Sequence, residues 1–390
     1  MYTASLERDG LLPDTVERPV QCGIAAESFF EALQSDSRQQ QHLYFTAPVT
    51  WPKLLDRAKN WESLATSAAI AEDLRASAPW LQCWAATAGA YTQAHYDVAD
   101  NVFVQLSGRK EFLLWPPSQA RALHLYPDAH PRARKAQLDC IDAPDLRRFP
   151  LASRLLPPAR FVLSPGDALA IPAFWFHHVV SHTACTSLNV FCESPVKLAA
   201  AELLGVSLPV HAAWPRALKR DALFAAVAGC HAAAGSVAQE SLDTLLDSRF
   251  APLGHSSGDP GGASGGTAAA AAARPRPRRR PPPAPEGVES LRPALLVLAD
   301  DVADGVARLR EAVQEAAAAH DERWVGLEDV AEGDASGDAS TDAGAHGTAE
   351  AHFVAVRDLT LLHLVEAWTV KAFGPGALEA ELRELRRRCK

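Results

Sequence analysis

Short runs of β-branched and aromatic residues follow one another between residues 80 and 195, and turn residues separate them. Ser107-Gly108 suggests a tight hairpin, and Pro165-Gly166-Asp167 is a turn of the kind that begins a strand. Many short strands joined by turns predict a β-sandwich or a barrel. The predicted strands are Leu81–Thr87, Thr92–Val98, Asn101–Leu106, Lys110–Trp115, Arg160–Leu163, Ala168–Ile171, His177–Ser181 and Ser187–Phe191.

Helical periodicity flanks the strands on both sides, and one short apolar run, His42–Val49, reads as a further strand. The fold class expected is therefore α+β with a mainly β core; a double-sheet jelly roll of the cupin type is one member of the class. The predicted helices are Ala25–Ser35, Trp51–Leu74, several within 196–249, Leu295–Ala319, His352–Phe373 and a charged helix Leu378–Arg388.

Composition divides the chain further. A tract within 250–294 is rich in Gly, Ala, Pro and Arg, and such a segment cannot bury enough apolar surface to offset its ordering entropy. We expect it to be a disordered linker. The predicted parts are an N-terminal lead-in at 1–79, the β core at 80–195, a helical extension at 196–249, the linker at 250–294, and C-terminal helices at 295–390 with a disordered acidic insert at 332–348.

The overall charge and the cysteines restrict the class of protein. Lys and Arg number 38 against 47 Asp and Glu, a formal net charge of −9, which argues against a basic surface that binds nucleic acid everywhere. Seven cysteines without a C-x-x-C pair favour free thiols in a reducing compartment. The first residues are polar, unlike a signal peptide, and no apolar stretch is long enough for a membrane span. We expect a cytoplasmic or nuclear protein.

Three side chains on the predicted strands suggest a metal site. Residues two apart on a strand share a face, so His95 and Asp97 point together, and His177 supplies a second imidazole from a later strand. Two histidines and one carboxylate form the facial triad of non-haem Fe(II) oxygenases. Lys110 is a compact cation suited to a carboxylate. An H-x-D pair also occurs by chance, and a polar pair on a strand is the alternative interpretation.

The combined pattern is more specific than its parts. H-x-D, a lysine beyond a hairpin turn, and G-D-x-L-x-I-P-x-x-W-x-H follow one another here, and this region resembles the JmjC-domain hydroxylases. The resemblance implies a double-stranded β-helix (jelly roll) that depends on Fe(II), 2-oxoglutarate and O₂. It implies that His95, Asp97 and His177 bind the iron, with His177 preferred over His178.

The resemblance also implies roles around the metal. Thr92 and Lys110 match residues that bind the distal carboxylate of 2-oxoglutarate, and Tyr44 aligns with a tyrosine that touches the same group. Asn101 and Asn189 match asparagines near the cosubstrate and iron. Trp175 and Phe176 are expected to form walls of the substrate pocket. For each residue the alternative is a packed position on a strand.

Two groups within this superfamily are most similar. The hydroxylases of asparagine in hypoxia-inducible factor share T-x-A-H-Y-D, while the tRNA wybutosine hydroxylases also share flanking patterns at Ile141–Leu151 and Ile171–His177. The tRNA-modifying interpretation is therefore preferred. A hydroxylase of asparaginyl, histidyl or lysyl side chains, a histone-directed JmjC oxygenase and a non-catalytic metal-binding cupin remain alternatives.

Partners are less constrained by the sequence. Arg132, Arg134 and Lys135 are candidate contacts to a nucleic acid, and the Arg274–Arg280 run is either an RNA contact, a nuclear-import signal or a solvated linker. The acidic total leaves room for a protein substrate. Apolar residues within Leu359–Val370 allow a homodimer through C-terminal helices, or helices packed on their own core.

Overall fold

The computed structural model describes residues 25–34, 42–49, 81–138, 140–192, 194–211, 213–254, 284–323 and 349–389. The predicted helix Trp51–Leu74, the Arg274–Arg280 run and the insert at 332–348 lie outside these residues. The strands are β1 (Tyr44–Pro48), β2 (Leu81–Ala86), β3 (Tyr91–Tyr96), β4 (Asp100–Ser107), β5 (Lys110–Trp115), β6 (Ala159–Leu163), β7 (Ala168–Ile171), β8 (Phe176–Ser181) and β9 (Cys185–Cys192).

The strands form two antiparallel sheets. One has the order β1-β2-β9-β4-β7 and the other the order β3-β8-β5-β6. Each segment predicted as a strand overlaps an observed strand. Side chains alternate between the space within the two sheets and the outer surfaces, and this alternation is visible in the sequence. The core is a cupin-type jelly roll with flanking helices, which confirms the predicted fold class.

Helices surround the jelly roll in the described part of the chain. Their apolar side chains share one core with the outer face of the four-stranded sheet, which contributes Tyr96, Leu113, Trp115 and Phe176. The helices are α1 (Ala26–Gln34), α2 (Pro195–Gly205), α3 (Arg216–Ala233), α4 (Ala238–Thr244), α5 (Ala251–Gly254), α6 (Arg292–Arg323), α7 (Ala349–Phe373) and α8 (Leu378–Cys389), and a π-helical turn (Leu245–Phe250) joins α4 to α5.

The apolar stripe of α7 is buried inside this chain. Leu361, Leu364 and Val365 are each 0 % exposed and belong to the same core as the jelly roll. Of the two alternatives for Leu359–Val370, packing on the chain's own core is therefore the one that these residues adopt, and a dimer through them is not supported. Periodicity alone shows that a helix has an apolar face but not which surface covers it.

The boundaries of the predicted linker also differ from the structure. Phe250 is 2 % exposed, α5 continues to Gly254, and a 3₁₀ turn at Val288–Leu291 leads into α6. Leu291 packs against Leu218 and Ala222. Because these apolar residues are anchored in the helical core, the ordered part extends into both ends of the predicted 250–294 segment.

Two further expectations concern helices and thiols. Within the described ranges no single helix is long and apolar enough to cross a membrane; α3 taken with Ala238–Leu253 passes that test only as a pair bent by 109°. The described cysteines are free: Cys83, Cys140, Cys185, Cys192, Cys230 and Cys389.

Candidate metal centre

The three predicted metal ligands meet between the sheets. His95 lies near the end of β3, Asp97 follows that strand, and His177 is the register partner of His95 in β8. One ligand atom from each residue lies within 4.8 Å of the other two, and His177 Nε2 is 3.7 Å from Asp97 Oδ2. The structure thus assembles two imidazoles and one carboxylate, the donor set of a facial triad.

Backbone carbonyls orient both imidazoles. His95 Nδ1 donates to the Gln93 carbonyl at 2.8 Å, and His177 Nδ1 donates to the Trp175 carbonyl at 3.3 Å. Because a carbonyl only accepts, each proton lies on Nδ1 and each Nε2 keeps its lone pair. Burial lowers the pKa of His95 and of His177 and so favours the neutral rings. These residues therefore fit a divalent metal ion.

The turn before β8 connects the two halves of the triad. Phe174 has a φ of 67°, which is uncommon for a residue with a side chain, and its N–H donates to the Asp97 carbonyl at 2.7 Å. Next to it, Ala173 N donates to Asp100 Oδ1 at 2.7 Å. These two bonds attach the turn to the segment that carries Asp97 and place His177 beside that carboxylate.

A β-bulge places Thr92 in the same cavity. Strict alternation back from His95 would turn Thr92 to the opposite face of β3. The pairing of β3 with β8 shifts between Thr92 and His95, and Thr92 consequently lines the cavity together with His95. Thr92 also forms a side-chain hydrogen bond with Tyr44.

Lys110 is a buried cation on the wall of this cavity. Gly108 precedes it with a φ of 71°, where a side chain would collide with the Ala184 carbonyl. Lys110 is 4 % exposed, its Nζ donates to Ser187 Oγ at 2.9 Å, and Nζ lies 4.9 Å from the centre of the Phe103 ring. Burial lowers the pKa of Lys110.

No carboxylate among the described residues lies within ion-pair distance of Lys110. Burying an ammonium group without an opposite charge is costly. A small anion in the cavity would supply that charge, which is the role the sequence predicts for this lysine.

A hydrogen-bonded group of polar side chains lines the opposite sheet. Asn189 Nδ2 donates to Asn101 Oδ1 at 2.8 Å, and Trp84 Nε1 donates to Asn189 Oδ1 at 2.5 Å. The Tyr44 ring lies 5.6 Å from the Trp84 ring. The residues predicted to bind the cosubstrate, namely Tyr44, Thr92, Asn101, Lys110 and Asn189, thus line one cavity with the metal ligands.

The cavity has a volume of about 130 Å³. This is close to the roughly 150 Å³ cavity that holds benzene in an engineered protein core, so it suits a small molecule. Its apolar lining was not predicted from the sequence and comprises Trp84, Phe103, Phe112, Ile171, Val179 and Phe191. Four of these lie two residues beyond Asn101, Lys110, His177 or Asn189, so strand alternation from those residues was the available signal.

Trp175 and Phe176 do not line this cavity. Phe176 is 0 % exposed and packs edge-to-face on Tyr96 at 5.2 Å in the core beneath the helices. It neighbours His177 in β8 and therefore points away from it. Trp175 packs partly buried against the cluster of Phe103 and Phe112, and its carbonyl orients His177. The prediction that both side chains wall the pocket is wrong for Phe176 and unsupported for Trp175.

The predicted nucleic-acid contacts lie beside the metal ligands. Lys135 forms an antiparallel bridge with His95. Burial, Arg132 and Arg134 lower the pKa of Lys135, and the Asp97 carboxylate opposes this shift. Arg134 and Lys135 therefore lie within electrostatic range of His95, whereas Arg132 acts on Lys135.

Comparison with known families agrees with this geometry. Residues 17–197 match the model of a family described as a cupin-like domain. Residues 17–197 are therefore similar to cupin-like domains, and because of the JmjC resemblance of their sequence we refer to them as the JmjC domain. Its Thr92–Asn101 and Ile171–His177 segments, which carry the resemblance seen in the sequence, are the segments that hold the triad.

The names of curated relatives that match the JmjC domain point to different substrates. Human tRNA wybutosine-synthesizing protein 5 is 37 % identical over 119 residues, which are 30 % of this chain and 32 % of that protein. Human bifunctional peptidase and (3S)-lysyl hydroxylase JMJD7 is 29 % identical over 150 residues, 31 % of this chain and 47 % of that protein. The matched region thus spans about a third of the length of the wybutosine-synthesizing relative.

A solved structure also aligns with the JmjC domain. It is the ribosomal oxygenase YcfD from Escherichia coli, in complex with cobalt and succinic acid, at 16 % identity and a TM-score of 0.20. The alignment covers 32 % of this chain and 27 % of that one.

Proposed function

We propose that the cupin-like JmjC domain is an Fe(II)- and 2-oxoglutarate-dependent oxygenase. One arrangement carries the proposal. His95, Asp97 and His177 share a cavity with Lys110, a buried ammonium without a carboxylate partner among the described residues. A metal-binding triad requires only the first three side chains. The added buried cation selects a ligand with a carboxylate, as 2-oxoglutarate has.

The side chains have distinct tasks in this proposal. His95, Asp97 and His177 would hold Fe(II), and the bound iron would supply the oxidation of a C–H bond by O₂ with a 2-oxo acid as cosubstrate. Lys110 holds the distal carboxylate of the acid. The hydroxyls of Thr92 and Tyr44, which hydrogen-bond to each other, are available to the same group.

The remaining lining restricts what else enters the cavity. Phe103 and Phe112 pack edge-to-face at 4.8 Å beside Lys110, and this apolar wall excludes water from the ammonium. The Asn101–Asn189 pair fixes the amide groups that face the same space. A dry, preorganised cavity strengthens the attraction between the ammonium and a bound carboxylate.

For the substrate, we propose a tRNA nucleoside of the wybutosine type. Two observations support this proposal: the similarity to wybutosine-synthesizing proteins and the position of Arg134 and Lys135 beside His95, with Arg132 next to them in the chain. Cations bordering an active site attract the phosphates that flank a target nucleoside. The similarity to a lysyl hydroxylase supports a protein side chain as the second candidate.

A turnover assay tests the oxygenase proposal. The full chain is incubated with Fe(II), 2-oxoglutarate and tRNA-Phe carrying unhydroxylated wybutosine, and succinate is measured by NMR. We expect iron-dependent succinate from the wild type and none from Asp97→Ala. Asp300→Ala removes an exposed acid of α6 and should retain turnover. Turnover that persists in Asp97→Ala would contradict the triad assignment.

The nucleosides of the same reaction identify the substrate. We expect mass spectrometry of digested tRNA to show a gain of one oxygen atom on the wybutosine base. An unmodified tRNA together with oxygen incorporated into peptides rich in Lys, Asn or His would replace the tRNA proposal with the protein one. A chain that binds metal but makes no succinate with either substrate would instead be a non-catalytic metal-binding cupin.

A further inference from the structure

A buried polar network lies directly behind the metal ligands. Tyr96 separates His95 from Asp97 in the sequence, and its side chain points to the opposite face, where it is 0 % exposed. Its hydroxyl lies 3.0 Å from Nε2 of His363 in α7. The C-terminal helical region therefore contacts the one residue that joins two metal ligands.

His363 extends this contact to a carboxylate. Its Nε2 lies 3.2 Å from Asp128 Oδ1, and burial lowers the pKa of His363 to about 4, so the ring is neutral. His363 Nε2 thus lies between two polar groups, the Tyr96 hydroxyl at 3.0 Å and the Asp128 carboxylate at 3.2 Å. The imidazole is thus fixed in one orientation by two partners.

Asp128 is held in turn by Glu366 and Arg249. Glu366 Oε2 accepts from Asp128 N at 2.7 Å, and Arg249 Nη1 lies 2.6 Å from Glu366 Oε1 and 3.5 Å from Asp128 Oδ2. Arg249 is 2 % exposed and Glu366 is 1 % exposed. Buried ion networks contribute less to stability than hydrocarbon packing of the same volume, so orientation of neighbouring groups is the better account of this one.

The same network reaches the ligand strand a second way. After Asp128 the chain enters the loop that carries Arg132, Arg134 and Lys135, here called the cationic loop, and returns beside β3. There Ala136 N donates to Ala94 O at 2.7 Å, and Tyr96 N donates to Arg134 O at 3.4 Å. One route passes through the Tyr96 side chain and the other through the backbone beside it. Displacing the network would rotate β3 and move His95 and Asp97 together.

We propose that His363 is a positioning residue for the metal centre, acting through Tyr96, and that Asp128, Glu366 and Arg249 hold it in place. The inference rests on the metal site of the proposed function, although it does not depend on the substrate or on turnover. It assigns the helical region a part in metal binding, since α7 supplies the group that fixes the ligand strand.

Metal affinity measured without turnover tests this inference. The full chain, freed of metal, is titrated with Mn(II) in a calorimeter. We expect His363→Ala to weaken Mn(II) binding by about 10- to 100-fold, the reduction that follows removal of groups that orient metal ligands. His363→Gln, which keeps an N–H donor for Asp128, should recover most of the affinity.

A matched control separates positioning from general stability. Trp368→Phe removes a different buried hydrogen bond of α7, from Nε1 to the Val206 carbonyl at 2.8 Å, and should leave Mn(II) affinity within about 3-fold of the wild type because it does not reach β3. Tyr96→Phe removes only the hydroxyl and serves if His363→Ala fails to fold. Adding His363→Ala to Tyr96→Phe should lower the Mn(II) affinity little further than Tyr96→Phe alone, because His363 acts through that hydroxyl.

The outcomes are distinguishable. Equal decreases of affinity in His363→Ala and Trp368→Phe, or an unchanged affinity in both His363→Ala and Tyr96→Phe, would overturn the positioning role and leave the oxygenase proposal intact. A wild type that binds no Mn(II) would overturn both. A wild type that binds Mn(II) but turns over no 2-oxoglutarate would overturn the oxygenase proposal alone.

Discussion

His177 Nε2 lies 3.7 Å from Asp97 Oδ2, and the backbone of Asp97 is what brings them together. The Asp97 carbonyl accepts from Phe174 N at 2.7 Å, while the Trp175 carbonyl orients the His177 ring. Asp97 thus supplies a metal-binding carboxylate and also anchors the turn that delivers the second histidine. The I-P-A-F-W-F-H sequence is therefore a structural part of the metal centre as well as a motif.

The adjacent histidines of β8 have opposite roles. His177 faces the cavity, whereas His178 pairs across from Leu113 and its ring lies 5.8 Å from Tyr91. We expect His177→Ala to weaken Mn(II) binding by more than the roughly 100-fold upper range for removal of a supporting group. His178→Ala, measured in the same titration, should stay within about 3-fold of the wild type. The reverse order would show that His178 is the ligand.

Lys110 is expected to cost stability in exchange for cosubstrate binding. Lys110→Met replaces a buried ammonium, which has no carboxylate partner among the described residues, with an apolar side chain of similar length. It should raise the free energy of unfolding without ligand by about 1 kcal/mol. Saturating 2-oxoglutarate, at about 100 times its Kd, should stabilise the metal-loaded wild type by about 2.7 kcal/mol but the variant by much less.

Urea unfolding with and without 2-oxoglutarate checks both statements. The contradicting result is a Lys110→Met variant that is less stable than the wild type without ligand and is stabilised by 2-oxoglutarate as much as the wild type. It would mean that another cation binds the distal carboxylate of 2-oxoglutarate.

Buried neutral histidines should make the protein acid-sensitive. His231 is 1 % exposed, its Nδ1 contacts Ser236 Oγ at 2.8 Å, and burial lowers its pKa to about 4. In the unfolded chain the pKa is near 6.5. The stability this histidine contributes is fully present above pH 6.5 and is lost as the pH falls from 6.5 towards 4, because only the unfolded state takes up the proton there.

The variant His231→Gln should show a shallower decline in this window. We measure the free energy of unfolding by urea titration of metal-free protein. Its slope against pH should be shallower in the variant than in the wild type, by up to about 1.4 kcal/mol per pH unit. The remaining slope belongs to other buried histidines, including His130 and His363, whose pKa values are also lowered by burial. An unchanged slope would mean that His231 is protonated in the folded protein.

The cationic loop should control the salt dependence of RNA binding. Arg132→Gln with Arg134→Gln should weaken tRNA binding and reduce the slope of log affinity against log salt by about 0.7 to 0.9 for each phosphate that the variant no longer neutralises. Arg308→Gln is a suitable control because that side chain is 52 % exposed and pairs with Glu202 between two helices of the helical region. Filter binding at several salt concentrations measures these slopes. Equal slopes in the wild type, the double variant and the control variant would show that the loop does not contact RNA.

Much of the core was predictable from local pattern. Strand alternation places His177 inside and Phe176 outside, so the error over Phe176 contradicted a signal already present in the sequence. Thr92 is different, because strict alternation turns it away from His95 and only the bulge in β3 restores it. A one-residue register shift leaves no periodic trace, and here the family resemblance was the better guide.

The network behind β3 was not predictable from the sequence. Glu366 and Arg249 occur on segments where charged residues ordinarily face water, yet both are buried because they pair with each other across the core. The same limit explains the dimer prediction, since the apolar residues of α7 cover their own chain. Long-range pairing between residues 128, 249 and 366 requires the tertiary structure.

The central claim is that the triad and Lys110 form one site for a metal ion and a 2-oxo acid. Calorimetric titration of 2-oxoglutarate into the Mn(II)-loaded full chain tests it most directly. We predict one acid bound per chain, with affinity at least about 10-fold weaker when the metal is omitted or when Lys110 is replaced by Met. Binding of equal strength with and without the metal, or with and without the ammonium, would contradict a shared site.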